Sequence, residues 1–321
     1  MSQTINSDEF YHTYHGHRTD HLLTLLTSLR LPRRYTIYLA GDSSLDNKFW
    51  FEGSVKAVNG YESILNPPKS KQDIAYWLNY ELVRRKLSYF ALNCAVEESS
   101  VGSRSFCRLL EQDKVVRDTI TADDILVVSL GGNDIALKPN VCTILATLAL
   151  ICCTTTECLR SCAGGCALPC DDYACGCGCG CLSNLFAFPP GYGYFLHLFG
   201  TKIQSFLDRL TDKMRPKIIV ICMIYYPDER PGQSWADGIL AALGYNSNPK
   251  KLQLLIDRVF QDATEQISLP GTRIIALPLS KALDGKNTED YSARVEPSIP
   301  GGHKIANLIL DALFWDAADT R

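Results

Sequence analysis

The sequence lacks the features that mark proteins bound to nucleic acid, to dinucleotides or across membranes. Its 32 Lys and Arg residues do not exceed its 35 Asp and Glu residues and form no basic tract, which disfavours a nucleic-acid partner. No Gly-x-Gly-x-x-Gly pattern follows a predicted strand, so no redox cofactor or nucleotide is expected. The longest apolar run, Val141 to Cys153, is too short for a transmembrane helix.

We also expect no secretion signal. The first ten residues contain no positively charged stretch followed by an apolar one. With 46% hydrophobic and 21% charged residues, the composition is typical of a soluble globular enzyme. We therefore expect a cytoplasmic protein, and the sequence specifies no oligomeric state.

Predicted strands alternate with predicted helices along the chain. The strands are nearly continuous in Ile, Val and Leu, which is typical of a parallel sheet covered by helices on both faces. We predict one α/β domain at 35–321, a flavodoxin-like three-layer sandwich, preceded by an N-terminal helical segment at 1–34. Its five parallel strands are predicted at 36–40, 87–96, 124–130, 217–225 and 273–278.

Polar residues follow two of these strands. Gly41-Asp42-Ser43 comes after the first strand, and Gly131-Gly-Asn133-Asp134 comes after the third. The carboxyl ends of parallel strands form the ligand-binding edge of such sheets. A serine nucleophile needs a base and hydrogen-bond donors for the oxyanion, and the amide of Asn133 is such a donor. The alternative is a Gly-Asp-Ser turn that only caps a helix.

These two motifs, about 90 residues apart, resemble the first and third blocks of the SGNH/GDSL hydrolases. The resemblance covers most of residues 35–317 and implies that Ser43 is the nucleophile. It also implies an oxyanion hole formed by the N–H of Ser43, the side chain of Asn133 and a backbone N–H after the second strand. In the segment Asn93-Cys-Ala-Val-Glu-Glu98, Glu98 takes the position of the family's glycine. Gly102 supplies that N–H instead if the loop is longer than usual.

The last block departs from the family's Asp-x-x-His pattern. Glu296 stands where the family has its catalytic His, and Ala293 stands where it has Asp. The only nearby imidazole is His303, seven residues later. Three readings follow: Glu296 is the general base, His303 is the base with Glu296 orienting it, or the site binds without turnover.

Three further acidic residues are candidates for substrate binding. Asp42, Glu98 and Asp134 follow the first, second and third predicted strands. We expect them to lie near Glu296 at the entrance of one pocket. Such a cluster either binds a cation or spreads out as helix caps and surface charges.

Eleven of the 14 cysteines fall between Cys142 and Cys181, within an insertion at about 141–185 that the resemblance does not predict. Without a secretion signal, this cluster indicates metal or reactive thiols more than disulfides. The flexible Cys-Gly repeat makes zinc or copper the candidate metal, although no Cys-x-x-Cys pair supports a standard zinc finger. Thioacylation and a disordered insertion without a ligand are the alternatives. The candidate metal ligands are Cys175, Cys177, Cys179 and Cys181.

The resemblance implies a serine esterase or acyl hydrolase without a cofactor. Its substrate is expected to be an ester, a thioester or an acetyl group on a small molecule or lipid. The alternative is a catalytically inactive binding protein that keeps the fold and has Glu296 in place of the catalytic His.

Overall fold

The computed structural model describes residues 4–30, 34–105, 108–167, 180–232 and 234–314. A sheet of five parallel strands forms its centre, with the order β5-β4-β3-β1-β2. This order confirms the predicted flavodoxin-like arrangement. The strands are β1 (Tyr35–Gly41), β2 (Tyr89–Asn93), β3 (Ile125–Ser129), β4 (Ile218–Met223) and β5 (Arg273–Pro278).

Helices cover both faces of this sheet. A π-helical turn at His197–Lys202 joins α9 to α10. In chain order the α-helices of the described residues are α1 (Ser7–His12), α2 (Thr19–Leu29), α3 (Ile74–Arg84), α4 (Glu111–Thr119), α5 (Gly132–Ala136), α6 (Val141–Cys153), α7 (Thr156–Ser161), α8 (Gly180–Ser183), α9 (Tyr192–Leu196), α10 (Ile203–Leu210), α11 (Asp237–Ala242), α12 (Pro249–Asp262) and α13 (Ile299–Phe314).

Two hydrophobic clusters show the three layers. Along β1, Tyr38 and Ala40 belong to one cluster, with residues of α2, α4, α10 and α12. Ile37 and Leu39 belong to the other, with residues of α3 and α13. Alternate residues of a strand point to opposite faces, so an almost entirely apolar strand feeds both clusters.

The N-terminal residues pack into the same core as the sheet. Leu22, Leu25 and Leu26 of α2 are buried in the first cluster. Ile5–Asn6 pairs in parallel with Leu65–Asn66.

The insertion contributes helices α6, α7 and α8. On α6, Leu150 is buried, while the opposite face exposes Val141, Leu145 and Leu148. A two-residue strand pair, Gly164–Gly165 with Ala187–Phe188, joins the middle of the insertion to the residues just after it. In the described part of the chain, no helix combines the length and the apolar character needed to cross a bilayer.

The cysteines of the insertion are only partly described. Cys142 is disulfide-bonded, so the expectation of reduced thiols does not hold for this residue. The predicted metal ligands Cys175, Cys177 and Cys179 and the side chain of Cys181 lie outside the described residues, and zinc or copper binding there stays a prediction. Among the residues described, no three His, Cys, Asp or Glu side chains group as metal ligands. The described free thiols are those of Cys94, Cys153, Cys158, Cys162, Cys166 and Cys222.

Candidate active site

A glycine turn places Ser43 at the carboxyl edge of the sheet. Gly41, the last residue of β1, has φ +151°, and an added Cβ would lie 1.9 Å from the carbonyl oxygen of Ser129. No other residue fits this gap, because the obstructing atom belongs to the backbone of β3. The next residue, Asp42, donates its N–H to the same Ser129 oxygen at 3.1 Å.

Asp42 stabilises this turn from within. Its Oδ1 accepts hydrogen bonds from the N–H of Ser44 at 3.0 Å and from the hydroxyl of Ser44 at 2.7 Å. Burial raises the pKa of Asp42 to about 6, although both hydrogen bonds from Ser44 oppose the rise. The carboxyl of Asp42, a predicted substrate ligand, therefore bonds within the loop and also lines the cavity beside Ser43.

Ser43 and Glu296 are in contact, 253 residues apart in the chain. The hydroxyl of Ser43 donates to Oε1 of Glu296 at 3.3 Å. Ser43 is 7% exposed and Glu296 is 4% exposed. Glu296 lies in a short antiparallel pair, Tyr291–Ser292 with Glu296–Pro297. The predicted base position is thus next to the predicted nucleophile.

The loop before Glu296 is fixed by hydrogen bonds to neighbouring segments. The hydroxyl of Tyr225 donates to the carbonyl oxygen of Val295 at 2.5 Å. The guanidinium of Arg294 donates to Asp237 at 2.6 Å and to the carbonyl oxygen of Asp228 at 3.0 Å. These contacts tie the loop to the segment after β4 and so hold Glu296 against Ser43.

The carboxyl of Glu296 lies among other acids. Burial raises its pKa well above the usual value, and the nearby Glu97 and Asp42 raise it further, while the hydrogen bond from Ser43 opposes the rise. Burial likewise raises the pKa of Glu97 to about 8, with a further contribution from Asp46. Oε2 of Glu296 and Oε2 of Glu97 are buried without a hydrogen-bond partner among the described residues. Burial therefore favours the protonated form of Glu296, and Glu97, with a pKa of about 8, is predominantly protonated at neutral pH.

Asn133 enters the same site from β3. Gly131, with φ +115°, lies at the turn from β3 into α5. This position requires glycine, because a Cβ there would lie 2.5 Å from the ring of Phe199. Asn133 is 7% exposed, and its Nδ2 donates to the carbonyl oxygen of Ser99 at 2.9 Å. An amide nitrogen carries two hydrogens, so one remains for a ligand. Asn133, Ser43 and Glu296 line one cavity.

Of the two candidate N–H donors in the loop after β2, that of Glu98 has no acceptor among the described residues and that of Gly102 is already bonded. Glu98 has φ +57°, a left-handed conformation that glycine favours, in agreement with its place at the family's glycine position. Among the described residues, no acceptor takes the N–H of Glu98 or of Ser43. The N–H of Gly102 already donates to Asp134 at 2.9 Å, which corrects the choice of Gly102.

Asp134 and the side chain of Glu98 have structural partners. The two carboxylate oxygens of Asp134 accept the N–H groups of Val101 and Gly102, at 2.7 and 2.9 Å, and so hold the loop after β2. Oε1 of Glu98 accepts the hydroxyl of Tyr14 at 2.9 Å. Neither residue lines the cavity, so the structure does not bring them to the substrate position that we expected.

His303 lies elsewhere. Its Nε2 is 2.8 Å from Oε1 of Glu81, and its ring stacks on Trp77 with centroids 4.1 Å apart. Both partners belong to α3, which packs against α13. The interpretation of His303 as the base for Ser43 is therefore corrected, because the helix directs this imidazole to α3.

Comparisons with known proteins were made for the whole chain. No family model and no curated protein matches it. Among solved structures, a carbohydrate esterase family 3 protein from Talaromyces cellulolyticus is 11% identical, with 89% of this chain and 100% of that chain covered and a TM-score of 0.40. An acetyl xylan esterase variant from Geobacillus stearothermophilus is 13% identical, with 88% and 94% covered and a TM-score of 0.43. A candidate SGNH hydrolase from Slackia heliotrinireducens is 10% identical, with 88% and 100% covered and a TM-score of 0.42.

This chain is similar to SGNH hydrolases and esterases of known structure. The likeness is too slight to carry an activity over to it.

Sequence reasoning missed two features of this site. The first is Glu97, which is 2% exposed and whose charge raises the pKa of Glu296. In the sequence, only the pair of adjacent acids Glu97-Glu98 after β2 could have indicated this role. The second feature is a cavity of about 150 Å³ beside Ser43, walled by apolar residues of α6, α11 and α12. No single stretch of sequence shows such a cavity.

Proposed function

We propose that this chain is a serine hydrolase that cleaves carboxylic esters, with Ser43 as nucleophile and Glu296 as general base. The observation that carries this proposal is the hydrogen bond from the Ser43 hydroxyl to Glu296, at 3.3 Å, in a cavity that Asn133 also lines. An oxygen ester or thioester of a small molecule or lipid fits the same chemistry.

The reaction follows from these positions. Oγ of Ser43 attacks the carbonyl carbon while its proton moves to the ionised carboxylate of Glu296. The oxyanion accepts hydrogen bonds from the N–H of Ser43 and from the amide of Asn133. As the intermediate collapses, the alcohol leaves with the proton from Glu296. Glu296 then deprotonates a water molecule, which attacks the acyl group on Ser43. As this second intermediate collapses, Glu296 returns the proton to the departing Oγ of Ser43, and the carboxylic acid leaves.

The protonation state of Glu296 limits this reaction. Only the carboxylate accepts a proton, and burial with the neighbouring Glu97 and Asp42 raises its pKa. The ionised fraction therefore grows as the pH rises toward that pKa, and the rate grows with it. We therefore expect turnover to increase with pH through a midpoint above the usual pKa of a Glu side chain.

The same electrostatics favour a second function, binding without turnover. A protonated Glu296 is no base, and Ser43 is only 7% exposed. In this case the cavity would hold an ester or a related molecule unchanged.

Labelling with a fluorophosphonate probe and turnover of 4-nitrophenyl butyrate, both measured from pH 6 to pH 10, distinguish the two functions. We expect Ser43→Ala to lose labelling and turnover, and Glu296→Gln to retain about 1% or less of the turnover. His303→Ala is the matched control and should retain both, since His303 contacts α3. Labelling that persists in Ser43→Ala would refute the assignment of the nucleophile. Absence of labelling and turnover in the wild type would support the binding protein.

A further inference from the structure

The cavity beside Ser43 has one polar end. Asp42, Ser43, Asn133 and Glu296 lie at that end, and most other lining residues are apolar. Helix α6 supplies Leu150 and Ile151, and α12 supplies Leu255 and Val259. Phe195 comes from α9, and Phe199 comes from the π-helical turn that follows it.

One cation, Lys251, also lines this cavity. Its ammonium group donates to the carbonyl oxygen of Ile151 at 2.9 Å, near the C-terminal end of α6. Carbonyl groups at the end of a helix attract a cation, so this charge has a structural partner and the lysine stem adds apolar surface. The interior therefore suits a hydrocarbon chain. A sugar or polyol would lose hydration there without sufficient replacement hydrogen bonds.

We propose that this cavity binds the acyl chain of the substrate and that the protein acts on medium-chain acyl esters, with about six to eight carbons in the acyl group. The inference deepens the proposed function and rests on it for the reaction at Ser43. The carbonyl group of the ester lies at the polar end, between Ser43 and Asn133, and the chain extends toward Leu150 and Val259.

The volume sets the chain length. The cavity measures about 150 Å³. Apolar cavities of about this size in other proteins, lined by Leu, Ile and Phe, hold a ring of six carbons. Trp235, 40% exposed, lines the cavity and marks its opening, so the end of a slightly longer chain reaches solvent there.

A chain-length series of 4-nitrophenyl esters from acetate to dodecanoate tests the proposal. Each methylene moved from water into the cavity should raise kcat/KM about fourfold, giving about a 200-fold rise from acetate to hexanoate. We expect the rise to end near octanoate. Methyl octanoate should also be cleaved faster than octyl acetate, because the cavity binds the acyl side. A maximum at acetate, or a preference for octyl acetate, would overturn the inference while leaving Ser43 chemistry intact.

A variant that fills the cavity gives the matched comparison. Thr147, on α6, lines the cavity and is partly exposed, whereas Ala149 on the same helix does not line it. Thr147→Phe should lower kcat/KM for octanoate by about tenfold to 100-fold and leave acetate within about twofold. Ala149→Phe should change neither ester. An equal loss for both esters in Thr147→Phe, or an unchanged octanoate rate, would refute the assignment.

Binding without catalysis separates this inference from the proposed function. Calorimetry with octanamide and acetamide uses neutral head groups, so the acids near Ser43 do not repel them. Octanamide should bind the wild type and Ser43→Ala, acetamide should bind far more weakly, and Thr147→Phe should weaken octanamide binding. Octanamide binding with no turnover of any ester would support the acyl cavity and refute the hydrolase. Absence of octanamide binding would refute the acyl cavity whether or not short esters are cleaved.

Discussion

Replacement of Glu97 by Gln should stabilise the protein, and the gain should grow with pH. Glu97 is 2% exposed, and burial raises its pKa from 4.5 to about 8. In the unfolded chain the same carboxyl ionises near pH 4.5. Between these values the unfolded state releases a proton that the folded state retains, so folded stability falls as the pH rises. Gln does not titrate and preserves an acceptor for Trp50, which donates to Oε1 of Glu97 at 3.3 Å.

The magnitude follows from the two pKa values. They differ by about 3.5 pH units, and each unit corresponds to about 1.4 kcal/mol, so the full effect is about 5 kcal/mol. At pH 5 the wild type loses little of this stability relative to Glu97→Gln, and above pH 8 it loses nearly all of it. The free energy of unfolding of Glu97→Gln relative to the wild type should therefore increase by about 4 kcal/mol between pH 5 and pH 9.

Urea unfolding at each pH unit from 5 to 9 measures this difference. Glu52→Gln, which removes an exposed carboxyl, is the control and should show no such trend. A constant difference between Glu97→Gln and the wild type across this range would refute the reasoning, because it would mean that Glu97 titrates alike in the folded and unfolded chain.

Three other predictions concern the turn, the oxyanion donor and the base. Gly41→Ala should destabilise the fold by more than about 3 kcal/mol, seen as a lower urea midpoint, because its Cβ would lie 1.9 Å from the Ser129 carbonyl oxygen; a midpoint equal to that of the wild type would contradict this packing. Asn133→Ala should lower kcat for 4-nitrophenyl butyrate about 100-fold to 1,000-fold with little change in KM, and a change in KM alone would assign Asn133 to ground-state binding. Glu296→His should raise turnover at pH 7 above the wild-type rate, since an imidazole has an ordinary pKa near 6.5, and a rate below that of Glu296→Gln would show that the site cannot use an imidazole base.

The sheet was predictable from the sequence because its strands are short, apolar and separated by amphipathic helices. All five predicted strands are present, although β2 ends at Asn93 instead of 96. Beyond Asn93, Cys94 and Val96 still donate to the β1 carbonyl oxygens of Leu39 and Gly41, at 2.9 and 3.0 Å, so the predicted end at 96 matches the last contact with β1. The side chain of Asn93 accepts the N–H of Ala95 at 3.1 Å, a local hydrogen bond that apolar periodicity does not show.

The details of the site depended on contacts between distant parts of the chain. Spacing left Glu98 and Gly102 as alternatives, and the carboxylate of Asp134, which binds the N–H of Gly102, distinguishes them. Spacing also left His303 as a possible base, and its orientation toward Glu81 follows from the packing of α13 on α3.

The proposed acyl cavity is a feature that no sequence motif predicts. Leu150 and Val259 lie on different helices more than 100 residues apart, and both line it. Each reads in the sequence as an ordinary core residue, because apolar periodicity does not separate a side chain that fills the core from one that walls a cavity.

The pH dependence of fluorophosphonate labelling tests the coupling of Ser43 to Glu296 most directly. The second-order rate of labelling, with the adduct located on Ser43 by peptide mass spectrometry, should rise with pH through a midpoint well above the ordinary range for a Glu side chain. In Glu296→Gln the rate should be low, without this rise. A wild-type rate that does not change between pH 5 and pH 9, or an identical profile in Glu296→Gln, would contradict the account.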